Sequence, residues 1–138
     1  IVGSWNGFQP LVMTKQGPNS WTYLITMGEN GWESFQILLQ STWDTAIYPS
    51  IKHAAPHTSY CIRGPDARGH GRNWTIGCPR NEAKTIAKHR KKALPGETYK
   101  VVLNLDNNGL PANLTWEEAS KANNPGTLNR GGLQAEYG

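Results

Sequence analysis

Side chains able to do chemistry are sparse in this chain of 138 residues. Cys61 and Cys78 are its only cysteines. They flank the turn-rich stretch Pro65 to Asn73, between the strand-like runs Tyr60–Gly64 and Trp74–Cys78, and the whole reads as a long-looped β-hairpin. A disulfide across that hairpin and a pair of buried thiols are both open; a zinc site would lack its remaining ligands. His53 and His57 stand four apart, but Ala54-Ala55-Pro56 intervenes and no helix is indicated, so no metal site is expected. Glu33 and Asp44 are the carboxylates that could be offered as a glycosidase pair, yet nothing in their spacing sets them facing each other across a cleft. Asp44, Asp66 and Asp106 fall in turns, where Asp bonds the local backbone. The sequence contains no nucleophile motif, metal box or phosphate loop. The expectation is a protein that is not an enzyme and takes no cofactor.

The elements that must position any site are short and aromatic. Ile1–Trp5, Trp21–Met27 and Phe35–Leu39 read as strands, separated by breaks at Gly7, Pro10, Gly17-Pro18-Asn19 and Gly28-Glu29-Asn30-Gly31. In the second run Trp21, Tyr23, Ile25 and Met27 share one face; in the third, Phe35, Ile37 and Leu39 do. That period of two predicts half-buried antiparallel strands. Trp43 through Pro49 reads as a strand, a turn and a return strand ending at the proline, and residues 50–59 as loop. Tyr99–Leu105 is a further strand, Asp106-Asn107-Asn108-Gly109 a hairpin turn, and Leu110–Trp116 its partner, with Ala112, Leu114 and Trp116 inward. The predicted core is Trp5, Trp21, Tyr23, Ile25, Phe35, Ile37, Val101, Leu103 and Leu114.

Composition agrees with that class. There are 15 Gly, 9 Pro, six Trp and five Tyr, with 17% charged residues, which favours an all-β sandwich over a helical bundle. By length the chain is expected to form one domain, residues 1–138, with a loop-rich insertion at about 50–98 and an irregular tail from about 117 to 138. No run of about 18 apolar residues exists, so no membrane span is expected. With no initiator Met, and Ile1 already inside a strand-like run, the chain is expected to be a mature product or a piece of a longer one.

The net charge of +4 is concentrated. Residues 80–92 hold six cations against Glu82 alone, a net +5, so the remaining residues sum to −1. Asn81 could cap a short helix beginning at Glu82; a surface helix and a basic loop are both open. Arg63, Arg68 and Arg72 could extend this segment into a phosphate-binding patch. Residues 79–96 carry no aromatic to stack on bases, so nucleic acid is disfavoured as a partner. A solvated basic loop, or one that docks an acidic protein surface, fits the segment better.

The order of the N-terminal residues is more specific than their periodicity. Gly3-Ser4-Trp5-Asn6-Gly7-Phe8, followed by Met13, Trp21, Phe35-Gln36-Ile37 and Trp43, resembles the starch- and glycogen-binding modules of carbohydrate-binding families 48 and 20. The likeness runs from Ile1 to about Pro49. It implies an immunoglobulin-like antiparallel β-sandwich that binds an α-glucan or oligosaccharide without catalysis. In that family the last aromatic of the opening turn and a Trp on a later hairpin form the sugar platform, which matches Phe8 and Trp43 here. Asn6 and Gln36 occupy positions beside the platform, and Trp5 matches a core residue. Three departures stand out: Phe8 replaces a Trp, Gln36 replaces a Lys that touches sugar, and Ser41-Thr42 replaces an Asp-Gly pair.

Two function classes follow. One is a non-catalytic α-glucan-binding module, part of a larger protein or complex. The other is a structural or assembly subunit that reuses the fold, with residues 80–92 and 117–138 as docking elements for other protein subunits.

Overall fold

In the computed structural model, residues 1–78 and 92–119 are described. The expected helix at Glu82, the basic docking segment (all but Lys92) and the tail beyond Ala119 lie outside them.

The described residues form nine strands: β1 (Val2–Gly3), β2 (Thr14–Gly17), β3 (Ser20–Thr26), β4 (Trp32–Leu38), β5 (Ala46–Pro49), β6 (Ile62–Asp66), β7 (Trp74–Gly77), β8 (Thr98–Leu105) and β9 (Pro111–Glu118). They make two antiparallel sheets, an all-β sandwich as the alternating pattern predicts. One sheet runs β1-β4-β5-β6 with β7 also on β4; the other runs β2-β3-β8-β9. No helix among the described residues is long and apolar enough to cross a membrane.

The core sits where the inward faces meet. Phe35, Ile37, Ile47, Trp74 and Ile76 from the first sheet pack against Ile25, Val101, Leu103 and Leu114 from the second. Phe35 is the hinge of the packing: it stacks on Trp74 at 5.7 Å and meets Trp116 edge-on at 5.7 Å. Each such side chain taken from water contributes about 1.5–3 kcal/mol. Trp5 is only partly buried. It leaves the short β1 in a 3-10 turn (Ser4–Asn6), stacks on Tyr23 at 6.0 Å, and so closes the rim of the core instead of filling its centre.

Two expectations need correction. The runs around Cys61 and Cys78 do not pair with each other: β6 pairs β5, and β7 pairs β4. The reason lies in β5. It ends at Pro49, which has no N–H, and it covers only Ile37 and Leu38 of the β4 edge. Trp32 to Phe35 would be left with unpaired backbone groups, and β7 supplies their partners. In β9, Ala112 is exposed, because the register shifts from Asn104↔Asn113 to Leu105↔Pro111 and leaves Ala112 as the extra residue of a bulge. The strand β2 carries no apolar alternation and was not predicted; it is a polar edge strand on β3.

The face of β4 that points away from the second sheet is also covered. Ser34, Gln36 and Leu38 are buried, with Val2, Ala46, Tyr48 and Thr75 beside them. The chain between β6 and β7 lies over this face. Gln36 Nε2 donates to the carbonyls of Gly69 (2.5 Å) and Arg72 (2.9 Å). A Cβ on Gly69 would stand 2.6 Å from the Tyr48 ring, so only glycine lets the loop approach this closely. His53 Nδ1 reaches Thr75 Oγ1 at 2.9 Å, and Thr75 in turn bonds Ser34 at 2.7 Å.

Candidate functional site

The segment joining β4 to β5 is built from two 3-10 turns, Leu39–Ser41 and Trp43–Thr45. Polar side chains hold it. Thr42 Oγ1 accepts from the Asp44 amide at 3.2 Å, and Thr45 donates to the carbonyl of Leu39 at 2.5 Å and that of Thr42 at 3.2 Å. Such caps replace the backbone partners a single turn cannot supply. The turn leaves Trp43 47% exposed, a large indole held in water by a fixed backbone.

Phe8 lies on the outward face of the first sheet. It is half-buried and packs against Val2, Leu38, Ala46 and Tyr48. Leu38 and Ala46 are register partners, and they bracket the turn that carries Trp43. The turn delivering Phe8 uses two left-handed residues, Gly7 (φ 69°) and Phe8 itself (φ 61°). Asn6 stabilises it: its amide donates to the Gln9 carbonyl and accepts from the Gln9 N–H, both at 3.2 Å. Asn6 therefore belongs to the frame of the site. It holds the turn, and Phe8 is the ring the turn presents.

Gln36 does not lie on this surface. It is 2% exposed, and its amide is committed to the loop carbonyls above it. A sugar hydroxyl could reach it only if the 69–72 segment lifted. The alternating pattern put Gln36 outward correctly; what it could not show is that a loop some 33 residues later covers that face.

The other candidates are dispersed. No bond joins Cys61, which is exposed, to Cys78, which is buried; they belong to the ends of two strands that do not pair. Glu33 is 8% exposed and accepts from Ser4 Oγ (2.6 Å) and the Gly28 N–H (3.0 Å), tying the turn after β1 to the turn after β3. Asp44 lies beyond the other end of β4, and five strand residues at about 3.3 Å each put the two carboxylates roughly 17 Å apart or more. That exceeds the separation either glycosidase geometry uses. Among the described residues no cluster of three or more His, Cys, Asp or Glu is placed to hold a metal ion.

A second polar group was not foreseen from sequence. Tyr48 donates to Asp66 Oδ1 at 2.8 Å, and the Arg68 amide donates to the same oxygen at 2.8 Å. The Arg68 amide and the Tyr48 hydroxyl hold the Asp66 carboxyl below its ordinary range; burial and the Asp66 bond push the Tyr48 phenol up. Arg63, Arg68 and Arg72 surround this pair, but the structure uses it to fasten the loop rather than to face a ligand. The only sequence signal was Tyr48 itself, standing outward where its hydroxyl needs a partner.

Comparison with protein-family models, with curated proteins and with solved structures returned no match.

Proposed function

We propose that this chain is a non-catalytic α-glucan-binding module, with the Trp43 ring as its main contact and Phe8 as the second. The observation that carries the reading is Trp43: an indole 47% exposed on a turn fixed by three side-chain hydrogen bonds. A sugar presents an apolar C–H face that stacks on such a ring, and a ring already held still loses little entropy on binding. The resemblance of residues 1–49 to starch- and glycogen-binding modules supports the choice of an α-glucan. Phe8, packed on the residues that bracket the Trp43 turn, supplies a second apolar surface within reach of one short oligosaccharide.

The affinity is modest. Stacking on a protein aromatic is worth roughly 1–3 kcal/mol per ring for a nucleobase, and a sugar gains no more. Two rings with solvent-competed hydrogen bonds give a Kd on the order of micromolar to millimolar. A titration with maltoheptaose, followed by Trp fluorescence, tests this. Trp43→Ala should abolish most binding and Phe8→Ala should weaken it, with the fold intact in both. Absence of binding by the wild-type protein at millimolar maltoheptaose would overturn the reading in favour of an assembly subunit.

A further inference from the structure

At the end of the sandwich nearest the 39–41 turn, the space between the two sheets is open. A cleft of about 290 Å³ enters there, walled by Met13, Trp21, Ile37, Leu39, Leu103 and Leu105. Packed interiors hold few voids larger than one water molecule, and this one equals about ten waters at ~30 Å³ each. No charged side chain lines it, and the one charge at its wall, the Ile1 ammonium, donates to the Leu11 carbonyl at 2.8 Å. Water inside would find apolar walls and few partners, so the cleft favours an apolar occupant.

Two independent features mark its mouth. Gln40 and Ser41 line the lip, and both adopt left-handed backbone, with φ of 57° and 58°. Consecutive non-glycine residues in that region are disfavoured, and such conformations gather where a ligand is clamped. On the opposite lip Leu11 is 38% exposed and Val12 89% exposed, which carries the apolar surface from the walls out into solvent. Apolar depth with an uncharged amide and hydroxyl at the rim is the pattern of a small-molecule site, and the volume falls at the small end of that class.

The geometry points to a binding site for a small uncharged amphiphile, its aliphatic chain between the sheets and its hydroxyl or ester head at Gln40 and Ser41. With each methylene taking about the ~30 Å³ of a water molecule, the chain has roughly eight to ten carbons. The site is separate from the Trp43 surface and does not depend on glucan binding. The two share the 39–45 turn and Leu38, which lines the cleft and packs under Phe8.

The experiment uses 1-decanol and its brominated analogue 10-bromo-1-decanol. Decanol should displace the uncharged fluorophore N-phenyl-1-naphthylamine saturably. Bromodecanol should quench the intrinsic fluorescence, and most of that quenching should vanish in Trp21→Phe, which keeps the wall apolar. Leu11→Asp sets a charge on a partly exposed lip without touching the core and should weaken decanol at least tenfold. Decanoate should bind at least tenfold more weakly than decanol, since no charged side chain lines the cleft and the Ile1 ammonium is already bonded to the Leu11 carbonyl at 2.8 Å. The proposal is overturned by any of three results: no saturable displacement up to the solubility of decanol, quenching that persists in Trp21→Phe, or unchanged affinity in Leu11→Asp. Decanoate binding as tightly as decanol would overturn the assignment of an uncharged head.

Discussion

The two sheets carry the same inward alternation but differ in what covers their backs. Behind the first sheet, the 66–73 segment and Tyr48 bury Ser34, Gln36 and Leu38, so six of the seven residues of β4 are inaccessible. Behind the second sheet Thr14, Leu24, Thr26 and Thr115 face solvent, Leu24 at 60% exposure, and of the outward residues of β3 only Thr22 is buried. A strand covered on both sides is fixed by hydrogen bonds as much as by apolar contact, because a polar atom on it loses water and needs a partner inside the protein, as Gln36 Nε2 finds and Gln36 Oε1 does not. A strand open on one side leaves its outward residues to water. The insertion thus serves as a third layer laid on one face, and Phe8 packs on that same face over Val2, Leu38, Ala46 and Tyr48.

Substitutions should separate the two backs, beginning with the anchor of the covered one. Trp74 is fully buried, stacks on Phe35 and donates from Nε1 to the Tyr60 hydroxyl at 2.9 Å. Trp74→Ala should lower unfolding free energy by about 3–5 kcal/mol in urea titrations; a loss under 1 kcal/mol would mean that the insertion is not tied to the core there. Gln36→Leu keeps the volume but strands the Gly69 and Arg72 carbonyls, and should cost about 1–3 kcal/mol. Faster hydrogen exchange confined to residues 69–73 should accompany it.

Acid and alkali should act on different sheets. In the second sheet, burial first and then the Glu97 and Glu118 charges push the Tyr99 phenol up to about 12, above its ordinary value near 10. A raised pKa contributes stability that is complete below pH 10 and is lost as pH rises toward 12. Tyr99→Phe should flatten that alkaline decline, leaving the smaller part due to Tyr48, which shifts in the same direction. Asp66 has the opposite sign. Its depressed pKa contributes stability above 3.8 that is lost as pH falls through the lower folded value. Urea midpoints measured across both ranges in wild type, Tyr99→Phe and Asp66→Asn would check this. The smallest effect belongs to the bare back: Leu24→Thr should change stability by no more than about 0.5 kcal/mol, and a large loss would show that something covers that face.

What could be read in advance follows the same division. The strands β3, β4 and β8 declare themselves by period two, and Ile25, Phe35, Ile37, Val101, Leu103 and Leu114 are buried as that period demands. Trp74 reads as a strand residue, but its partner strand is β4 and not the run at Tyr60–Gly64. A symmetric arrangement about a turn suggests a local hairpin, whereas the unpaired edge of β4, some 40 residues earlier, offered β7 the better set of partners. Gln36 failed as a surface residue for a related reason: alternation tells which side of a sheet a residue faces, not whether another segment lies on that side. Trp43 was legible as an aromatic after a polar break at Gln40-Ser41-Thr42, but not as a 3-10 turn, since its caps come from threonines that read equally well as strand.

The register of β3 with β8 has a consequence for synthesis of the chain. Every strand of the first sheet but β1 lies between the two partners, from Thr26 to Thr98 in sequence. As the chain leaves the ribosome, β3 therefore emerges with only the four-residue β2 to pair with, while β4, β5, β6 and β7 follow. Its central neighbour arrives about 70 residues later, roughly 4–14 s at 5–20 residues per second. During that interval Trp21, Tyr23 and Ile25 lie on an apolar strand with one edge unpaired, open to solvent or to a chaperone. The nascent protein is most prone to aggregate before residue 98 is out, and slowing translation between Thr26 and Thr98 should raise aggregation, whereas slowing it after Glu118 should not.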